Sequence, residues 1–112
     1  MRATRFDENN PVQRRAKAAE IRSIVVSMVG FYQHQYELAK IAPGGARWRE
    51  LRFSFKQASA QAYFPITVDE LWDYLFFLIK QGIVKEYQTI FQPRYELDYA
   101  ALRAYERKWN LT

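Results

Sequence analysis

The chain of 112 residues has no cysteine and a single histidine, His34. Without cysteine there can be no disulfide framework, no thiol nucleophile and no zinc site built on Cys ligands. One histidine leaves only serine or lysine to complete a nucleophile-and-base pair, so a non-enzymatic protein is expected, with His34 on the flank of a long helix. The carboxylates are scattered without metal-ligand spacing, Asp69 and Asp73 reading as a solvated helix edge, and neither metal nor cofactor is expected. Glycine and proline number four each. The one place where they cluster, PGGAR at residues 43–47, lacks the Gly and Lys spacing of a phosphate-cradling loop and reads as a helix-to-helix connection. No run approaches about 18 apolar residues and no basic start leads into a signal-length apolar segment, so a cytoplasmic protein without membrane association is expected.

What is present is enough for a core. Apolar residues make up 49% of the chain and aromatic residues 17%, and the length suits one domain. Residues 1–10, MRATRFDENN, are polar and aperiodic and read as a flexible tail, with a single domain over 11–112. The net charge of +5 is unevenly spread: residues 1–60 carry 11 Lys and Arg against 5 Asp and Glu, while residues 61–112 carry 6 against 7. A basic first half favours an anionic partner, nucleic acid before membrane.

Helix signals are frequent. Asn10 fits an N-cap, Pro11 the first helical position, and Gln13 the return arm of a capping box. Ile21, Ile24, Val25, Met28, Phe31, Tyr32 and Leu38 then form an apolar stripe on a helix reaching about Ala42, where Pro43-Gly44-Gly45 stops it. Such a helix is longer than one small domain covers, so either Gly30 bends or breaks it or a second copy covers the surplus; a homodimer built partly on this helix is expected. Trp48, Leu51, Phe55, Ala58 and Ala62 mark a second helix with a basic strip of Arg49, Arg52 and Lys56, although LRFSF also alternates like a short strand. Thr67 opens a third, with Val68, Leu71, Trp72, Leu75, Leu78 and Ile79 on one side and Gly82 at its end. IVKEYQTIF and RYELD read as a hairpin turning through Gln92-Pro93. Asp98 caps a last helix that buries Tyr99, Leu102, Tyr105 and Trp109. Core packing is the expectation for Trp48, Trp72 and Trp109.

This order, with TVDELWDYLFFLIKQGIVKEY leading into RYELDYAAL, resembles a winged helix-turn-helix domain, similar to winged domains of phage and plasmid replication proteins and bacterial regulators. The resemblance implies a mainly helical α+β fold of three helices, a two-stranded hairpin wing and a C-terminal helix. It also implies duplex DNA as partner, met by the third helix and the wing, in transcription regulation or a replication accessory role.

The third helix departs from that pattern, because Asp69, Glu70 and Asp73 would repel phosphate. Glu70 and Asp69 are accounted for by a capping box with Thr67 and by the helix dipole. Asp73, Tyr74, Phe76 and Phe77 are instead expected to form a protein-partner surface, the rings facing outward. Nucleic-acid contact is then expected from Arg14, Arg15, Lys17 and Arg22 on the first helix, from Arg47, Arg49, Arg52 and Lys56, and from Lys85 and Arg94 on the wing.

Overall fold

Helix α1 (Pro11–Leu38) begins as its cap predicts, with the Asn10 side-chain oxygen accepting from the Val12 N–H at 2.9 Å and the Gln13 N–H at 3.4 Å. Gln13 does not close a box with Asn10: its side chain accepts from the Asp7 N–H at 2.7 Å, and the Asn10 N–H goes to the Asp7 carbonyl. This computed structural model describes residues 6–42 and 44–111, so Met1 to Arg5 of the expected tail and Pro43 of the expected helix stop lie outside the described residues. At ~1.5 Å per residue the 28 residues of α1 span nearly the whole long dimension of the molecule, 44 Å. The helix runs through Gly30 without a break. There a side chain would meet the Tyr99 hydroxyl, 3.1 Å from an added Cβ. The buried line of α1 is Val25, Val29 and Gln33, flanked by Ile21, Ile24, Met28 and Tyr32; Phe31 and Leu38, expected on the stripe, face solvent.

α1 stops at Leu38, four residues short of the expected end. Lys40 takes the left-handed conformation (φ 56°), its N–H bonding the Glu37 carbonyl while the Ile41 N–H bonds that of Tyr36. This pair of bonds satisfies carbonyls that a helix end leaves orphaned. The same arrangement ends two further helices, with Gly82 and Asn110 in the left-handed position.

A two-residue strand, β1 (Ala46–Arg47), precedes α2 (Trp48–Gln61). It is too short to leave a periodic signal, and LRFSF is helical. α3 (Val68–Lys80) opens with the expected box, Thr67 Oγ1 accepting from the Glu70 N–H at 3.1 Å and Glu70 from the Thr67 N–H at 3.0 Å. The loop before it is held from across the chain: Glu20 accepts from the N–H groups of Tyr63 and Phe64 at 2.8 and 2.9 Å.

β2 (Val84–Gln88) and β3 (Pro93–Leu97) form an antiparallel hairpin, and β1 pairs with β3, giving the order β1-β3-β2. Pro93 is the first residue of β3 rather than part of the turn; the turn is Thr89 to Gln92, closed by the Thr89 N–H on the Gln92 carbonyl at 3.2 Å. α4 (Tyr99–Lys108) starts from Asp98, which accepts from the Ala101 N–H at 3.0 Å. It buries Leu102, whereas Tyr99 and Trp109 remain exposed.

Beyond the end of β1, Gln33 of α1 does the work of a strand. Leu97 opposes Val84, and the neighbouring Asp98 N–H bonds the Ile83 carbonyl. Alternation along the ladder therefore turns both backbone groups of Leu97 away from β2. Gln33 meets them, accepting from the Leu97 N–H at 2.7 Å and donating to its carbonyl at 3.3 Å. The result is an α+β protein, four helices on a small three-stranded antiparallel sheet, centred on Phe55, Leu51, Leu71, Leu75, Leu78, Ile83, Val25 and Val29. Burying each such side chain stabilises the fold by roughly 1.5–3 kcal/mol.

Candidate nucleic-acid and partner interface

The rotation of α2 about its axis decides which charges meet solvent. Leu51, Ser54 and Phe55 face the core, Ser54 Oγ lies 2.6 Å from the Tyr32 hydroxyl, and the Tyr36 hydroxyl donates to Glu50 at 2.7 Å. These contacts pin two successive turns of α2 against α1. The opposite face then carries Arg49, Arg52, Phe53 and Lys56, all exposed. Glu50 is the sole carboxylate of α2. It is fully engaged, accepting from the Arg47 N–H at 2.8 Å, pairing with the Arg47 guanidinium at 3.4 Å and holding Tyr36. Among the described residues, no ion pair involves Arg49, Arg52 or Lys56.

Along the edge of this face runs a set of rings, two of which, Trp48 and Trp72, helical spacing alone assigns to the core. Trp48 is 40% exposed and stacks on Trp72, centroids 5.9 Å apart and planes within 23°. Trp72 also stacks on Phe76 at 6.2 Å and 26°, and Phe55 meets it edge-on from the core at 4.9 Å. The Arg52 guanidinium lies over the Trp48 ring at 5.3 Å. Phe76, 47% exposed, and Phe53, 61% exposed, leave π surface in water. Periodicity gives the side of α2 or α3 on which Trp48 and Trp72 lie, and the structure puts both at the rim and not the centre of the core. Trp109 is 58% exposed past the end of α4, against Tyr105 and Lys108.

The remaining expected cations divide into engaged and free. Lys17 bridges Glu70 at 3.0 Å and covers the Phe6 ring at 4.8 Å, tying the start of α1 to the start of α3. Partial burial opposes ionisation of Glu70, but the Thr67 N–H and Lys17 outweigh it and hold the carboxyl below its ordinary value. Arg94 donates to the Gly45 carbonyl at 3.0 Å and lies over Tyr36 at 4.8 Å; Arg47 lies over the same ring at 5.8 Å. These three are internal ties. Gly45 itself has φ +90°, and an added Cβ would lie 2.8 Å from the Tyr95 carbonyl oxygen. Arg22 is half-buried beside Tyr74. Arg14 and Arg15 on α1 and Lys85 on β2 are exposed, apart from the α2 strip in sequence.

On α3, Asp69, Asp73, Phe76 and Phe77 are exposed. Tyr74 is not: it packs against the core, 5.6 Å from Phe77, and burial pushes its hydroxyl pKa up to about 12. Phe77 in turn meets Tyr105 edge-on at 6.1 Å. Tyr105 of α4 reaches this side of α3, and the expected outward cluster of four splits, Tyr74 turning in and Asp73, Phe76 and Phe77 remaining at the surface.

The chain matches no family model, no curated protein and no solved structure. Among the described residues no helix is long and apolar enough to cross a membrane, and no three His, Cys, Asp or Glu side chains gather as a metal site. One surface feature escaped the strand reading of IVKEYQTIF. Ile90 and Phe91 are not strand residues; they occupy the hairpin turn, 93% and 90% exposed.

Proposed function

We propose that the chain is a winged helix-turn-helix domain acting as a non-enzymatic nucleic-acid-associated factor, in transcription regulation or as a replication accessory protein. Three helices followed by a hairpin support the fold reading, as does a short strand after α1 that returns to pair with β3. The observation that carries the functional reading is the outer face of α2, where Arg49, Arg52 and Lys56 stand together and, among the described residues, form no ion pair with a carboxylate. Like charges crowded at (i, i+3) and (i, i+4) are mutually destabilising unless an anion lies over them. α3 suits phosphate poorly, because Asp69 and Asp73 are exposed along it. Affinity therefore resides on α2, with Arg14, Arg15 and Lys85 as outlying contacts.

Fluorescence anisotropy of labelled generic DNA across a salt series tests this. Binding is expected to weaken steeply with salt, and an Arg49, Arg52 and Lys56 triple-alanine variant is expected to flatten the slope by about 2 to 3 units. Absence of binding even at low salt contradicts the reading.

A second reading, a protein-interaction module, is supported by Phe76 and Phe77 standing exposed beside Asp69 and Asp73. A homodimer through α1 is the self-associating form, supported by exposed Phe31 and Leu38 one face apart by two turns. Sedimentation of Phe31→Ser and Phe77→Ser variants separates the two: the first releases a dimer through α1, the second a partner on α3.

A further inference from the structure

We infer that the strand held at the α2 face is unpaired nucleic acid, whose bases stack on the exposed rings while its phosphates follow the arginines. This rests on the phosphate-binding reading of α2 and adds to it the class of substrate. Three observations carry it. The first is that the cations and the rings are interleaved on one surface: Phe53 lies one turn from both Arg49 and Lys56, and Arg52 covers Trp48 at 5.3 Å. The second is the near-parallel run Trp48, Trp72 and Phe76, whose planes differ by 23° and 26° and which leaves Trp48 and Phe76 part-exposed. A run of parallel rings ending in water offers the π surface on which a flat base stacks, and the stacking is tolerant of sequence because every base has a π-face.

The third observation is the acidity next to the rings. Asp73 lies one helical turn before Phe76, and Asp69 one turn before Trp72 and Asp73; both are exposed. A duplex hides its base faces in its own stack and offers a protein groove edges and two phosphate strands. It could not use Phe53 or Phe76, and its second strand would lie toward these carboxylates. A single strand can splay its bases over the rings and keep its one line of phosphates on the α2 side.

The test uses the full chain with Trp109→Phe, which removes the fluorescence of the exposed tryptophan outside the site. Oligothymidylate and oligouridylate of roughly 16 nucleotides, and a duplex of the same length, are titrated while tryptophan emission and anisotropy are both read. Tighter binding of the single strands than of the duplex is expected, with quenching of Trp48 and Trp72. Stronger binding of oligouridylate identifies RNA and of oligothymidylate DNA; either supports the inference.

Phe53→Ser and Phe76→Leu should each weaken single-strand binding, by between about 5-fold and about 150-fold if one stacked base is lost, and leave the salt slope unchanged. Phe53 is exposed and Phe76→Leu keeps an apolar contact for Trp72, so a circular dichroism spectrum like that of the parent is expected for both. Equal or tighter duplex binding without quenching overturns the single-strand inference and leaves the phosphate reading standing, as does single-strand binding indifferent to both ring variants. No salt-dependent binding of any of the three overturns both.

Discussion

Replacing Gln33 by Met should cost the protein a large part of its stability without changing its shape. Gln33 is 6% exposed, and its amide makes both hydrogen bonds that the backbone of Leu97 would otherwise make to a longer β1. Met has a similar length and no polar atoms, so the substitution opens no large cavity. It removes two hydrogen bonds, each worth about 1 kcal/mol net, and strands a buried N–H at a further 1 to 3 kcal/mol. Burying the thioether recovers some of this, leaving a loss of about 2 to 4 kcal/mol from a total of roughly 5 to 15 kcal/mol. In urea, with a slope of about 1.5 to 2 kcal/mol/M, the midpoint falls by roughly 1 to 2.7 M while the slope stays constant. Gln35→Met, exposed on the same helix, is the control and should shift stability by less than about 0.5 kcal/mol. A Gln33→Met protein within that same margin would refute the claim that this side chain completes the sheet.

Two further outcomes follow from the helix ends and the buried hydroxyls. Lys40 holds a left-handed conformation that disfavours any side chain, so Lys40→Gly should raise stability by roughly 0.5 to 1 kcal/mol in the same urea assay; a decrease would mean that the Lys40 side chain contributes contacts of its own. Tyr74 and Tyr87 have pKa values pushed up to about 12, the first by burial, the second by burial and by Glu96, which accepts its hydroxyl at 3.0 Å. Tyr95 is shifted in the same direction by burial and Glu86. Between pH ~10 and ~12 the unfolded chain has released these protons and the folded chain retains them, so stability present below pH ~10 is lost as pH rises through that window. Urea midpoints at about pH 9 and about pH 11 should differ accordingly, and Tyr74→Phe should reduce the difference; a flat profile would contradict the burial of these groups.

Local chemistry was the most legible part of the sequence. Asn10, Thr67 and Asp98 cap helices as their residue types require, and Gly82 ends α3 in the left-handed conformation that favours glycine. Features that depend on distant partners were not legible. Glu20 reads as an ordinary surface acid until Tyr63 and Phe64, more than forty residues on, donate to it. Gln33 reads as a polar interruption of an apolar stripe until β3 is seen beside it. Lys40 ends α1 where no glycine signals an end, and β1 is only a single period of alternation long.

At the candidate site, the basic strip of α2 followed from spacing alone. What spacing could not supply was which cations are already engaged, as Lys17, Arg47 and Arg94 are. Nor could it supply depth: it gives the side on which Trp48, Trp72 and Tyr74 lie but not how far each is covered. α2 and α3 meet only partly over the two tryptophans, while α4 helps to close over Tyr74. The expected outward trio on α3 thus lost Tyr74, and two expected core tryptophans became the edge of a surface.

Where nucleic acid touches the chain decides between α2 and α3 as the binding surface. Amide and indole N–H chemical-shift mapping during titration with an oligothymidylate reads this directly. The largest shifts are expected from Trp48 to Lys56, with the Trp48 and Trp72 indole signals among them and the Asp69 to Asp73 amides little affected. Shifts centred on the exposed face of α3 instead, or no shifts at low salt, would contradict binding at α2.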